Sequence, residues 1–535
     1  MKEIKSLIYS IAGRKSFLIP LIITAVLAYG FKLTNPIVFV DDTALVDRYY
    51  DGSYLLAAGR AVMVFFAKIL PVFDYRPFFT NFFGLLLLMI SSVIWCALFK
   101  NCSKAKLHPL SYTIFSCLFI SYPLIGFIFN YSCGSVAVGF GYLFTALSLY
   151  YANSYLKSKQ NRQCVFSALM SFFALSLYES FASVYLLGVS AVLILKFFFD
   201  DNYQKDIKTS LYSLVKFLFP VIAGTIAYFA VSIPFRILAS VPNLAENSIS
   251  WLNGGIISTF LYLMKSMIGM YAVNALVYFP LSLFLIVCFV WLAATIIVSA
   301  KRKSSTLLLL GLITIVFLFS LSFILGEAAS YRMCQSFALF IGFFAILLMH
   351  LIIFSNLNKQ TKTIAISLVF LVILYQTSFL NTLFYATYVD YTYAKNTITD
   401  IARELNSNYD ISKPVIFVGK LPASQYYLSI TSVNSSSWNG KLFNWAYDTF
   451  HNRPAGSTGS PYGRITSIVN WGVRAFGPEP NAELLKFLSM EGYSYEQGTA
   501  QMMAQAIILC DYKPAWPHQN SIFDVGDYIV VFLGK

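Results

Sequence analysis

Charge is scarce in this 535-residue chain: 12% of residues are Asp, Glu, Lys or Arg, against 58% that are hydrophobic. Soluble domains carry about twice that charged fraction, so a single ordinary globular protein is excluded. Cysteines are few and scattered, eight with no CxxC pair, which argues against a disulfide framework or a zinc ribbon. The four histidines, His108, His350, His451 and His518, share no ligand spacing, and no protein-built metal site is expected. A P-loop, a GxGxxG turn, an HExxH helix and a GxSxG elbow are all missing. Those absences set aside an ATP-driven pump, a dinucleotide enzyme, a zincin and an α/β-hydrolase.

What the chain has instead is repeated apolar runs near 20 residues, and a mean hydropathy of +0.67. Bilayer is therefore its main solvent. The net charge of +14 is divided unevenly: residues 1–384 hold 27 Lys and Arg against 12 acids, while residues 385–535 hold 11 against 12. A basic tail for nucleic acid is thereby excluded, and cytoplasmic membrane loops account for the excess.

Eleven membrane helices are expected at about 16–33, 79–99, 110–129, 134–153, 163–178, 181–198, 211–233, 275–299, 304–325, 337–355 and 363–384. An inside N-terminus puts Lys2, Lys5, Arg14, Lys15, Lys100, Lys104, Lys106, Lys157, Lys159, Arg162, Lys196, Lys205, Lys208, Lys301, Arg302, Lys303, Lys359 and Lys362 on the inner side, as the positive-inside rule requires. The first helix has no small-residue cleavage pattern behind it and reads as retained. The runs 60–73 and 256–272 read as segments lying on or dipping into the outer interface. Counting 256–272 as a span would carry Lys301–Lys303 outside.

From residue 385 the composition becomes that of a soluble domain, expected to be α/β or α+β and to lie outside. Residues 391–407 have helical periodicity, and 414–419, 505–510 and 528–533 read as short buried strands. The stretch 455–463 (AGSTGSPYG) reads as a mobile loop.

The first outer segment, 34–59, concentrates chemistry in an acid-poor chain. It carries Asp41, Asp42, Asp47, Asp51 and Arg48, and Arg60 follows directly. Composition fits a solvated loop equally well, but paired carboxylates just outside a bilayer are placed to deprotonate a hydroxyl where a lipid headgroup meets a soluble substrate. Glu179, in Tyr178-Glu179-Ser180, and Glu327 and Arg332, in GEAASYRMCQ, sit where apolar runs reverse on the same outer side. Charge at membrane depth points to function. Arg60, Arg332, Arg236 and Lys265 are the outer cations that could hold a phosphate. Nothing on the inner side resembles a nucleotide-binding domain, so a transferred group must arrive on a lipid.

Asp41-Asp42, Arg48 and Gly59-Arg60 after the first membrane helix resemble the serotype-converting O-antigen glucosyltransferases of phages and enteric bacteria, within the GT-C class of polytopic glycosyltransferases. The layout of the whole chain is similar to theirs. The resemblance implies inverting transfer of glucose from undecaprenyl-phosphate glucose to a sugar of lipid-linked O-antigen, at the periplasmic face of the inner membrane and without a metal or other cofactor. It also implies companions, a flippase and an enzyme that makes the lipid-linked sugar. Carried onto this chain, Asp41 or Asp42 would be the base and Arg60, which the motif supports, would meet the departing phosphate; Arg332 is added by its position, with Arg48, Arg236 and Lys265 as further cations. Glu179, Glu327 and Tyr178 would support them. Trp438, Trp445 and Trp471 are candidates for stacking on the acceptor sugars, although tryptophans of such a domain are more often core. Competing readings are a flippase of lipid-linked sugars and another envelope glycan enzyme, such as a polymerase or ligase.

Overall fold

A computed structural model describes residues 2–39, 42, 52–69, 76–201, 203, 205–241, 249–252, 255–424, 427, 437–451, 468–473 and 480–535. The chain forms two compact units. The first comprises Met1–Thr34, Asp51–Asn381 and Val433–Pro461, and the second Asn35–Tyr50, Thr382–Ser432 and Tyr462–Lys535.

The first unit is a helical bundle. It begins with an amphipathic helix α1 (Lys2–Ala12) and continues through α2 (Lys15–Thr34), the short α3 (Ser53–Ala57) and α4 (Ala61–Ile69), and α5 (Pro77–Cys102). Then come α6 (Pro109–Ile120), α7 (Pro123–Phe129), α8 (Ser132–Ser158), α9 (Asn161–Leu177), α10 (Phe181–Phe199) and α11 (Ile207–Leu238). After α12 (Ile256–Met267), which runs on as a π-turn over Ile268–Val273, follow α13 (Phe279–Arg302), α14 (Ser305–Leu318), α15 (Ser320–Leu325), α16 (Gln335–Phe354) and the long α17 (Lys359–Asn408).

Among the described residues nine helices are long and apolar enough to cross a membrane. Eight of them are expected spans. The span at 110–129 is bent by 45° between α6 and α7, where Pro123 cannot continue the hydrogen-bond ladder. The expected spans at 163–178 and 304–325 are the 17-residue α9 and the pair α14 and α15, broken at Phe319.

The ninth is Ile256–Val273. Length and composition allow it to cross, and its hydrogen bonds tie it to the chain reversal that follows α15. Trp251, just before it, donates to the Phe323 carbonyl at 2.8 Å, and Ser266 accepts from the Ala328 amide at 2.9 Å. Tyr271 donates to the Ala329 carbonyl at 2.8 Å. These hydrogen bonds fall between residues 323 and 329, and the Tyr271 hydroxyl also meets Ser322 and Cys334, so the helix runs beside that turn. The expectation for 60–73 is met in part by α4, whose nine residues cover about 14 Å and cannot span ~30 Å of hydrocarbon.

Packing in the bundle relies on small residues where helices approach closely. A Cβ on Gly139 of α8 would stand 2.9 Å from the Gly84 carbonyl oxygen of α5, so only glycine permits that crossing. Aromatic side chains fill the space between helices, with Trp95, Phe99, Phe115, Phe119, Tyr142 and Phe181 fully buried. The basic loops gather at one end. There Lys106 pairs with Asp201 at 2.7 Å, Lys157 donates to Asn101 at 2.8 Å, and Thr306 donates to the Lys205 carbonyl at 2.9 Å.

The second unit contains a three-stranded sheet of order β1-β3-β2: β1 (Val415–Gly419) pairs parallel with β3 (Ile529–Gly534), and β2 (Ile522–Asp524) pairs antiparallel with it. The strands expected at 414–419 and 528–533 are therefore present. Residues 505–510 are not a strand but the second half of a helix, α18 (Ala500–Cys510). Thr499 caps it by accepting the Met502 amide, and Ala506 and Cys510, four residues apart, pack on Ile416, Val418, Val530 and Phe532. The helical periodicity of 391–407 is confirmed, but as the end of the 50-residue α17. Residues 455–463 lie outside the described residues.

Candidate functional site

The best-defined polar cluster in the bundle lies at the end opposite the basic loops and is built around the turn Gly59-Arg60. Gly59 has φ +80°, a left-handed conformation that suits glycine, and its Cβ position is occupied by the Tyr228 hydroxyl. Ser232, one turn further along α11, donates to the Gly59 carbonyl at 2.8 Å. These two contacts fix the backbone from which Arg60 projects. The Arg60 guanidinium lies 3.4 Å from Glu179 Oε2 and 4.3 Å above the Tyr178 ring. Both charges remain accessible, with side-chain exposures of 20% and 33%. Tyr228 donates to the other oxygen of Glu179 at 3.4 Å, so one carboxylate is held from two helices.

The turn that carries Glu179 is tied to the loop that carries Arg332. Ser180 donates to Gln335 Oε1 at 2.6 Å, and the Gln335 amide donates to the Arg332 carbonyl. Arg332 itself reaches Tyr131, donating to its hydroxyl at 3.3 Å with the guanidinium 5.6 Å from the ring centre. Neighbouring Asn130 accepts at its carbonyl, 3.1 Å away, from the buried Lys32.

The sequence-predicted residues thus divide. Arg60, Glu179 and Tyr178 meet directly, and Arg332 joins them through Ser180 and Gln335. Arg236 ends α11 on the face that already carries Tyr228 and Ser232, each four residues apart, one turn beyond the Gly59 contact. Lys265 and Glu327 belong to the α12 helix and the reversal beside it, and Glu327 faces Tyr262.

Asp42 belongs to the second unit, is fully buried, and accepts the Phe39 amide at 3.3 Å while returning its own amide to the Phe39 carbonyl at 2.9 Å. Asp41, Asp47, Asp51 and Arg48 lie outside the described residues. Trp438 and Trp445 are 79% and 65% exposed. They stand seven residues apart on one face of the helix Trp438–His451, whose other face buries Phe443 and Ala446 on Val273. The expectation that such tryptophans are core is overturned for these two. Trp471 falls in the helix Ile468–Val473, and its side chain is outside the described set.

Sequence reasoning missed Tyr228, Ser232, Gln335 and Lys32. The first three sit within or beside apolar runs that give no sign of which hydroxyl or amide turns inward. Lys32 was legible as a cation closing an apolar helix.

Chemically, an arginine fork held at the rim of a bundle by an acid and a ring can accept a phosphate while keeping its orientation. Two outcomes follow from the geometry. Gly59→Ala should displace Tyr228 from Glu179, losing about 1–2 kcal/mol through the left-handed backbone alone, and should lower both the unfolding midpoint and turnover. Gln335→Leu leaves the Ser180 hydroxyl and the Arg332 carbonyl without their partner, a loss of about 1–3 kcal/mol. Turnover should fall with little change in KM, and Gln335→Glu, which still accepts from Ser180, should restore part of it. An unchanged kcat in Gln335→Leu would detach the Arg332 loop from the site.

A family model described as glucosyl transferase GtrII matches residues 30–349, more than half of the chain. The matched stretch contains Gly59, Arg60, Glu179, Tyr228, Arg332 and Gln335 and ends before the sheet-containing residues of the second unit. No curated protein matches the chain.

Proposed function

The chain belongs to the GtrII family of glucosyl transferases, and from that premise we propose that it moves glucose from a polyprenyl-phosphate donor, undecaprenyl-phosphate glucose, to a sugar of lipid-linked O-antigen. The observation that supports a lipid-phosphate donor is the Arg60–Glu179 cluster at the bundle end away from the basic loops. Short basic loops are typical of the cytoplasmic side, which supports reading the cluster as periplasmic, at the outer face of the bacterial inner membrane. Nucleotide sugars do not reach that face; a lipid-borne sugar does.

In the proposed reaction an acceptor hydroxyl attacks the anomeric carbon. Its proton passes to a carboxylate of the Asp41-Asp42 pair, the bond from that carbon to the lipid phosphate oxygen breaks, and the electron pair leaves on the phosphate. One displacement inverts the anomeric centre. In this reading Arg60 neutralises the departing phosphate, with Arg332, Arg236, Arg48 and Lys265 as further cations. Glu179 and Tyr178 hold Arg60 in orientation, and Glu327 sits at the neighbouring reversal. A sugar phosphate is already a good leaving group, so positioning and charge neutralisation suffice without a metal ion or other cofactor. The exposed Trp438 and Trp445 offer ring faces for the acceptor glycan, with Trp471 a third candidate. A flippase and a synthase of the lipid-linked sugar would supply the donor.

Donor choice tests this reading. Purified protein in liposomes should transfer glucose from polyprenyl-phosphate glucose and not from UDP-glucose, and the product should have the anomeric configuration opposite to that of the donor. Transfer from UDP-glucose alone would overturn it.

A further inference from the structure

The first long helix, α2, holds the broken span from one face. Its Tyr29 and Lys32 are three residues apart and point the same way. The Tyr29 hydroxyl donates to the Ile120 carbonyl at 2.9 Å, where α6 ends, and its ring centre lies 4.7 Å from that of Phe129 at the end of α7. The Lys32 ammonium donates to the Asn130 carbonyl at 3.1 Å, directly after α7. Both side chains are buried, so α2 grips α7 at its two ends. A buried lysine costs desolvation that only fixed acceptors offset, and in a membrane protein it is seldom kept without use.

The short helix α7 in turn carries the loop of Arg332. The Phe127 ring meets the Tyr331 ring at 5.4 Å, and Tyr131 accepts from Arg332 at 3.3 Å. The amide nitrogen of Tyr131 is bonded to the carbonyl carbon whose oxygen Lys32 holds. That amide donates back to the Ile128 carbonyl at 3.1 Å. Gly134, in the first turn of α8, permits the close approach, since a Cβ there would stand 2.7 Å from the same Ile128 oxygen. The peptide between Asn130 and Tyr131 is thus fixed from both sides. Rotating it would swing Tyr131 and carry away the rest on which the Arg332 guanidinium lies.

We propose that Lys32 is a positioning residue for the transfer reaction, acting on Arg332 through the Asn130–Tyr131 peptide. The inference rests on the proposed role of Arg332 at the departing phosphate. Lys32 is 3% exposed and leaves the phosphate itself to Arg332. Without the Lys32 hydrogen bond the turn after α7 loosens, and Arg332 spends less time in its productive orientation.

A double-mutant cycle separates this role from simple packing. It uses the full chain in liposomes, with polyprenyl-phosphate glucose as donor and isolated O-antigen as acceptor. Lys32→Met keeps the apolar stem of the side chain and removes the ammonium. It should lower kcat roughly tenfold, with little change in KM, when Arg332 is present, and less than about twofold in the Arg332→Gln background. Tyr131→Phe, which keeps the ring and removes the hydroxyl, should show the same dependence on Arg332 with a smaller loss. Lys32→Arg, which can still donate to the Asn130 carbonyl, should recover part of the turnover. An equal loss from Lys32→Met in both backgrounds would overturn the proposal, because a merely structural lysine lowers the amount of folded enzyme whatever stands at position 332. Should Lys32→Met not fold, Lys32→Gln goes through the same cycle with the same two outcomes. Full activity of Arg332→Gln would be a different failure: it would remove Arg332 from the reaction, and this inference with it, while leaving transfer from lipid phosphate intact.

Discussion

Arg60→Gln should lower glucosyl transfer roughly 10²–10³-fold, the usual penalty for removing one preorganised group that meets developing charge. The substitution keeps a planar head group that can still lie over Tyr178, so the loss reports the charge and not the packing. Arg60→Lys should fall between the two. It retains a charge but not the fork that sits 3.4 Å from Glu179 and 4.3 Å above the Tyr178 ring. In the proposed reaction the phosphate departs only as the glycosidic bond breaks, so the effect is expected mainly in kcat. A change confined to KM would mean that Arg60 holds the donor equally in ground and transition states, and its assigned role would then be wrong.

The second large effect concerns the paired carboxylates. Loss of a general base typically lowers a rate about 10²–10⁴-fold. Asp42 is fully buried and its carboxylate is engaged by the Phe39 amide, so it is built to shape the segment after α2. Asp41→Asn is therefore expected to show the full loss. Asp42→Asn, whose side-chain oxygen can still accept from Phe39, should keep most of the activity and lose some thermal stability. The reverse pattern would make Asp42 the base and require it to become exposed when the acceptor binds. Both variants need the same check, an unfolding midpoint in detergent, before their rates are compared.

Much of the fold could be read from hydropathy, because a bilayer forces each crossing segment to be long, apolar and internally hydrogen-bonded. The limits of that reading are physical. A six-residue apolar run such as 505–510 is compatible with strand or helix, and the decision came from the Thr499 cap and from which residues the sheet buries. No proline or glycine separates residues 363–384 from 391–407, so one helix runs through both. Residues 256–273 have the composition of a span, and what they pack beside, the reversal at 323–329, emerges only from their contacts.

The site was legible as a set of residues and not as an arrangement. Scarcity made Arg60, Glu179 and Arg332 conspicuous, since charge at membrane depth is seldom kept without use. Their pairing spans 119 positions of chain, and nothing local in the sequence announces it. The residues that complete the arrangement, Tyr228 on Glu179 and Gln335 between Ser180 and Arg332, are neutral and common, so their roles emerge only from contact.

The account rests on transfer from lipid phosphate at the Arg60 end of the bundle, and one reconstitution addresses that directly. Purified wild-type protein and Arg60→Gln would be placed in sealed liposomes with polyprenyl-phosphate glucose and isolated O-antigen, and both glucose transfer and movement of the lipid-linked sugar between leaflets would be followed. The account predicts glucosylated O-antigen from the wild type, loss of that product in the variant, and no leaflet movement in either. Lipid-linked glucose crossing the bilayer without any glucosylated product would contradict it and make the protein a carrier.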